Sequence, residues 1–318
     1  MRSVLVISTR GKQAICGQIW QGVSECLPME WKVVERESDI LSVVTPLKAG
    51  HEYSRVVIDA NLRRFGAGAK QLRGLSRLVL FDHDICQEVI PDSDWYRRYV
   101  PIMKYIGVTR VIVSSAFLAN HLCRQGLDTV CIAKAYDSSV INDLHAERDL
   151  DAAFVGRTAH RVYRRRKRLL DKLKTELDVP ILRSQPGEPY NALLNRIRVF
   201  VSADVGFNEY MIKNFEAMAA GCTLLAWRQP DSEQELLGFQ ENEHLFMYSD
   251  IEELKKTLVR LKQEPALAEK VAAAGRDLVV ARHQWRHRVI PMVEALTKDI
   301  APFGGLLSFR DRLRLLRL

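Results

Sequence analysis

Short, nearly unbroken apolar runs punctuate the first half of the chain: SVLVIS at 3–8, RVVID at 55–59, LVLF at 78–81, VTRVIV at 108–113 and TVCIA at 129–133. Runs of this length, rich in β-branched residues and without strict alternation, are expected of strands buried on both faces. Between them, residues 14–27 and 115–125 repeat apolar side chains at helical spacing. Strand followed by helix, again and again, predicts a doubly wound parallel α/β sheet.

The pattern breaks into polar and charged residues over 142–150 and then resumes with AAFV at 152–155. Further strands are expected at 179–182, 199–202, 223–226 and 245–248, with helices at 215–220, 251–262 and 266–280. Two similar α/β lobes follow: an N-terminal lobe over 1–147 and a second over 148–290. Residues 291–318 form terminal helices that either cross back to the first lobe or touch a membrane. In two-lobed α/β proteins ligands sit in the cleft outside the carboxyl ends of the strands, so motifs at those ends carry the most weight.

Composition narrows the class. A chain of 318 residues is long enough to bury two cores, and 47% apolar with 27% charged residues excludes a disordered chain. The six cysteines, at 16, 26, 86, 123, 131 and 222, show neither CxxC pairs nor zinc-type spacing and read as reduced thiols. The first apolar run is too short for a secretion signal and no stretch is long enough to span a bilayer, so a cytoplasmic location is expected. Lys and Arg number 47 against 39 Asp and Glu, a net charge of +8. That excess favours an anionic partner, which could be nucleic acid, a phosphorylated substrate or an acidic membrane surface.

The chemistry concentrates in VFVSADVGFNEYMIKNFEAMAAGCTLLA, residues 199–226. A buried strand runs into a loop of small residues with a glycine, then into a helix carrying Lys213 and Glu216, and a second strand follows Gly221. Unbonded amides at a helix start bind anions, a lysine beside them adds positive charge, and Glu216 could accept hydrogen bonds from paired sugar hydroxyls. The bland alternative is an ordinary strand-loop-helix whose Lys and Glu are solvated. A second signal is FVGR at 154–157: Gly156 lets a phosphate approach the backbone, and the Arg157 guanidinium can neutralise a leaving group.

The segment FEAMAAGCTLLA at 215–226, with a basic residue three positions before its glutamate, resembles the donor site of GT-B glycosyltransferases of the group 1 type, in particular the spore-maturation-protein-like branch. The likeness extends more loosely over about 152–286. It implies two Rossmann-like lobes facing a cleft, the first binding acceptor and the second binding a nucleotide diphosphate sugar. It further implies that Glu216 holds the ribose, that Lys213 meets the diphosphate, and that the amides of Met211 and Ile212 cradle phosphate, with Gly156 and Arg157 in the lobe's first loop. Where many relatives carry a glutamate eight positions before the second one, this chain has Asn208, with Glu209 adjacent; these two are the candidates for donor-sugar contact. The resemblance also implies retention of anomeric configuration with no cofactor and no metal.

The triplet Asp82-His83-Asp84 follows a strand, and His83 or Asp84 could orient or deprotonate an acceptor hydroxyl; a structural histidine is the commoner outcome. The same triplet, or Asp92 and Asp94, could instead hold a divalent metal, as in a GT-A-type transferase. Ser114 and Ser115 end a strand and suit capping of the next helix. Arg161, Arg164, Arg165, Arg166, Lys167 and Arg168 form a basic run that reads as a solvated face, a phosphate patch or a lipid-docking patch; a single interleaved aromatic, Tyr163, does not favour a nucleic-acid partner. At the C-terminus Leu306, Phe309, Leu313 and Leu316 share one helical stripe beside Arg310, Arg314 and Arg317, as in an interfacial helix or one docked on the first lobe. GxSxG, Walker and HExxH motifs are absent.

The expected function is transfer of a sugar from a nucleotide diphosphate sugar to a hydroxyl of a surface glycan or lipid-linked acceptor. This places the enzyme in lipopolysaccharide or other polysaccharide biosynthesis, with an anionic membrane surface as a further partner. The rivals are the metal-dependent transferase, a nucleotide-sugar epimerase, and a sugar- or nucleic-acid-binding protein.

Overall fold

A computed structural model describes residues 3–300 and 307–316. The first half contains β1 (Val4–Thr9), α1 (Arg10–Cys26), β2 (Met29–Val34), α2 (Glu37–Leu47), β3 (Arg55–Asp59), β4 (Leu78–Phe81), α3 (Tyr99–Ile106), β5 (Arg110–Val113), α4 (Ala116–Arg124) and β6 (Thr129–Cys131). All six strands are parallel, in the order β2-β1-β3-β4-β5-β6. Strands β1, β4 and β5 are buried along their whole length, which is why their sequences run apolar without alternation. Strand β2 escapes that pattern. It lies at the sheet edge with Glu30 and Lys32 exposed, so MEWKVV alternates and gives no continuous apolar run.

The second half builds an independent sheet from β7 (Leu150–Val155), α5 (Arg164–Leu177), β8 (Ile181–Leu182), α6 (Glu188–Asn195), β9 (Ile197–Ser202), α7 (Ile212–Ala219), β10 (Thr223–Trp227), α8 (Asp231–Leu237), β11 (Phe246–Tyr248), α9 (Ile251–Gln263) and α10 (Pro265–Arg282). Its strands are parallel in the order β11-β10-β9-β7-β8. Phe154, Leu170, Leu173, Val201, Leu225 and Leu254 anchor its core. Helices α7 and α10 pack closely at Gly275, where an added Cβ would lie 2.3 Å from the His244 carbonyl oxygen and 2.9 Å from Met218 Cε.

The chain then returns to the first unit through α11 (Val289–Thr297) and α12 (Phe309–Leu315). Gly22 of α1 admits Val289, since a Cβ there would be 2.5 Å from Val289 Cγ2. Arg110 fastens the end of α11 by donating to the carbonyls of Ala295 at 2.6 Å and Asp299 at 2.6 Å while pairing with Asp128.

One compact unit runs to Ala133 and resumes at Trp285, and the other spans Lys134–Gln284. The breaks in the pattern suggested 147/148 and 290/291 instead. Hydrogen bonds account for the difference. Lys134 pairs with Glu209, the Tyr136 amide donates to the His283 carbonyl, and Asn142 is held by Asn191 and Asn195, so the polar stretch before β7 is fixed to the second unit. In the other direction Arg288 donates to the Ala133 carbonyl at 2.9 Å.

The six cysteines are free thiols, with Cys16, Cys86 and Cys222 buried and Cys26 and Cys123 exposed. Among the described residues no helix is long and apolar enough to cross a membrane. Leu306 and Arg317, two members of the terminal pattern, lie outside the described residues.

Candidate functional site

In the second unit β9 ends at Ser202, and the chain loops through 203–211 before α7 begins. Gly206 at φ 79° and Asn208 at φ 56° take left-handed conformations, which glycine adopts freely and asparagine tolerates. Met211 is the N-cap residue of α7, and no side chain caps that helix. At that start the Asn214 amide donates to the Met211 carbonyl at 2.9 Å, no side-chain oxygen caps the amides before it, and the helix dipole adds partial positive charge there.

A buried network holds this loop in place. The Asp204 carboxylate accepts from Arg166 Nη2 at 2.6 Å, from Asn214 Nδ2 at 2.9 Å and from Ser202 Oγ at 3.0 Å. Arg166 also donates to the carbonyls of Ala203 and Arg157 and lies over the rings of Tyr163 and Phe207. Burial works to raise the Asp204 pKa, but Lys213, Arg166 and the two side-chain donors together hold it below the ordinary carboxylate value. One network thus joins the start of α5, the end of β9 and the first turn of α7.

Lys213 and Glu216 sit one turn apart on α7, each partly accessible but largely surrounded by protein atoms. The Lys213 ammonium lies 4.7 Å from the centre of the Phe154 ring. It also occupies the space that a side chain at Gly156 would need, since a Cβ there would be 2.8 Å from Lys213 Nζ. The glycine of FVGR thus makes room for the lysine. Desolvation, assisted by the like charge of Arg166, brings Lys213 down to about 8. Desolvation raises Glu216 to about 7, against the opposing pull of Tyr190 and Lys213. Tyr190 of α6 donates its hydroxyl to Glu216 Oε2 at 3.0 Å. The second unit therefore brings Gly156, Lys213, Glu216 and the start of α7 together. Arg157 is exposed and follows Gly156 directly.

Glu209 has a different environment from its neighbour Asn208. It is fully buried and pairs with Lys134, itself 1% exposed, at 2.5 Å, so its carboxylate faces a protein cation rather than solvent. The basic run also divides: Arg166 turns inward, whereas Arg164, Arg165, Lys167 and Arg168 are exposed. Tyr190, Asp204, Asn214 and Lys134 carried no motif signal. Asp204 and Asn214 lie inside the segment that did, and Arg166 could have been singled out as the run's residue in phase with Leu170 and Leu173 on the buried face of α5.

The first unit holds the other candidates. His83 is 6% exposed, edge-on to Phe81 at 4.5 Å and stacked on Trp285 at 5.7 Å. Asp84 is more open and accepts from Arg63 Nε at 2.7 Å and Asn61 Nδ2 at 3.0 Å. The buried Asp82 accepts amides from Leu62 and from Asp84, both at 2.7 Å, and burial together with the Asp84 charge raises it to about 7. Both acids of the triplet are thus engaged by protein donors, and among the described residues no three His, Cys, Asp or Glu side chains are grouped to hold a metal ion. Ser115 Oγ accepts the Leu118 amide at 3.1 Å, the capping role that suited it.

Residues 140–294 match the glycosyl transferase-like family model. The sequence matches no curated protein. Among solved structures the chain resembles HepE of Anabaena in complex with UDP-glucose, at 13% identity and a TM-score of 0.65 over 93% of this chain and 100% of that one. It also resembles sucrose-phosphate synthase of Thermosynechococcus elongatus, at 14% identity and 0.63 over 92% and 97%, and a glycosyltransferase of Rickettsia africae, at 11% and 0.60 over 94% and 99%. The two parallel α/β units are thus those of the GT-B fold.

Proposed function

We propose that this chain transfers a sugar from a nucleotide diphosphate sugar to a hydroxyl of a glycan or lipid-linked acceptor in surface-polysaccharide assembly. The observation that carries the reading is the convergence of Lys213, Glu216, Gly156 and an uncapped helix start on one edge of the second sheet. In it, Glu216 accepts hydrogen bonds from the ribose hydroxyls, with Tyr190 fixing one carboxylate oxygen. Lys213, Arg157 and the amides at Met211 and Ile212 receive the diphosphate. Asn208 lies nearest the donor sugar, while Glu209 supports the loop through Lys134. HepE has been solved with UDP, with UDP-glucose and with UDP and glucose, and the pneumococcal O-GlcNAc transferase GtfA with UDP and GlcNAc, which supports a uridine nucleotide as the first donor to test.

In the proposed reaction the bond between the anomeric carbon and the diphosphate oxygen breaks as the acceptor oxygen bonds to that carbon from the same face, and the acceptor proton passes to the departing phosphate oxygen. The negative charge that develops on the diphosphate is met by fixed donors and cations, which act strongly because they are already oriented. This chemistry requires no enzymic nucleophile and no metal. The acceptor role of the first unit rests on Asp84, the more accessible member of its triplet, with His83 behind it as a packed support.

Thermal-shift screening against a panel of nucleoside diphosphates, with Glu216→Gln and with chelator, tests the reading. One nucleotide should stabilise the wild type, less so the variant, and equally with chelator present. Stabilisation that disappears with chelator but survives Glu216→Gln would favour the metal-dependent alternative.

A further inference from the structure

Helix α12 is fastened to the first unit by one face only. Asp311 and Leu315 are buried, Lys70 donates to the Leu315 carbonyl at 2.9 Å, and Ser308 with Asp311 forms a capping box that fixes the helix start. At the 100° step of an α-helix, the opposite side presents Phe309, Leu313 and Leu316, and these remain 75%, 47% and 81% exposed. Exposed Arg310 and Arg312 flank the two edges of that stripe, with half-buried Arg314 beside Arg310. The helix thus turns outward an apolar ridge bordered by arginines, although its inner face has already found a partner.

We propose that this outer face docks on an anionic lipid surface, with Phe309, Leu313 and Leu316 entering the interfacial layer and the arginines meeting lipid phosphates. Charge supports a bilayer: the flanking side chains are all cationic, and the one acid of the helix, Asp311, faces inward. Area argues against a second copy of the chain. Three such side chains offer roughly 350 Å² of apolar surface, well short of the about 800 Å² per partner of a stable protein interface. At seven residues the helix can lie on a membrane but not cross it. The inference is independent of the donor site.

Co-sedimentation of the full chain with vesicles tests it. Phosphatidylcholine vesicles, with and without one-third phosphatidylglycerol, are compared at about 0.1 M and 0.5 M salt, on either side of strong screening. Binding should rise on the order of 10- to 100-fold with the anionic lipid and fall at the higher salt. Phe309→Ser/Leu313→Ser/Leu316→Ser and Arg310→Gln/Arg312→Gln should each lose that binding while keeping the wild-type melting temperature and nucleotide-induced shift. Absence of binding to anionic vesicles at low salt overturns the proposal, as does binding unchanged in both variants. Light scattering that reports a dimer dispersed by the triple serine variant, without vesicle binding, overturns it in favour of self-association.

Discussion

The pairing of Glu216 near 7 with Lys213 near 8 predicts how nucleotide affinity depends on pH. Glu216 accepts ribose hydrogen bonds as a carboxylate, and Lys213 neutralises diphosphate as an ammonium. The competent state therefore needs Glu216 deprotonated and Lys213 protonated. With those two values its population is greatest near pH 7.5 and falls about 20-fold by two pH units on either side. Isothermal titration of a nucleoside diphosphate, beginning with UDP, should give a bell-shaped affinity profile. Glu216→Gln should weaken binding at pH 7.5 by about 10- to 100-fold, since hydrogen bonds to a charged acceptor contribute about 1.5–3 kcal/mol. It should also remove the enzyme's part of the acid limb. The second ionisation of the nucleotide phosphate, near pH 6, is common to both proteins and cancels in the comparison. Lys213→Met should remove the alkaline limb and move the acid limb to higher pH, because Lys213 opposes the rise of the Glu216 pKa. Acid limbs that superimpose in wild type and Glu216→Gln would refute the assignment of Glu216 to the ribose.

The remaining predictions probe what surrounds that pair. Tyr190→Phe removes a hydrogen bond that favours the carboxylate, so the acid limb of nucleotide affinity should shift to higher pH by titration calorimetry while the alkaline limb stays in place. Arg166→Met strands the buried Asp204 carboxylate and should destabilise the protein by about 3–5 kcal/mol in urea unfolding, whereas the exposed Arg168→Ala should change stability by no more than about 0.5 kcal/mol. Gly275→Ala sets a methyl group against the His244 carbonyl and should lower the melting temperature through about 1–3 kcal/mol of overpacking. Gly156→Ala displaces the Lys213 ammonium and should weaken nucleotide binding at least tenfold, measured by the same titration.

The fold was legible because burial on both faces leaves an apolar signature. Strands β1, β3, β4, β9 and β10 coincide with the runs that stood out from the sequence. What escaped were elements whose local pattern is weak. Strand β2 alternates at a sheet edge, and α2, α6 and α8 are short helices carrying a proline within or just before them or in their first turn, and therefore weaken the periodic signal. The return of the chain after Gln284 was harder still to read, because it depends on Gly22 admitting Val289 and on Arg110 reaching the carbonyls of Ala295 and Asp299. None of these contacts has a local signature.

At the candidate site, the sequence singles out residues within one continuous segment and is silent where charge is paired through space. Lys213 and Glu216 could be singled out because strand, loop and helix follow one another within 199–226. The partners of Arg166 and Glu209 could not, because each counter-charge lies far off in the chain. A guanidinium in a run of six basic residues looks solvated until Asp204 is found 2.6 Å away, and a glutamate beside the donor motif looks available until Lys134 is found against it. Both pairs act on the same 203–211 loop, one tying it to α5 and the other to the strand-like segment that enters the unit. The loop that presents the α7 amides is thus held at both ends by buried ion pairs, whose strength depends on geometry and full pairing. Conversion of either pair to a single unpaired charge should therefore disturb nucleotide binding as well as stability, even though Arg166 and Glu209 need not touch the nucleotide. Arg166→Met supplies that test: in protein still folded at low temperature, nucleotide affinity should fall by at least tenfold, and unchanged affinity would show that the loop keeps its shape without the network.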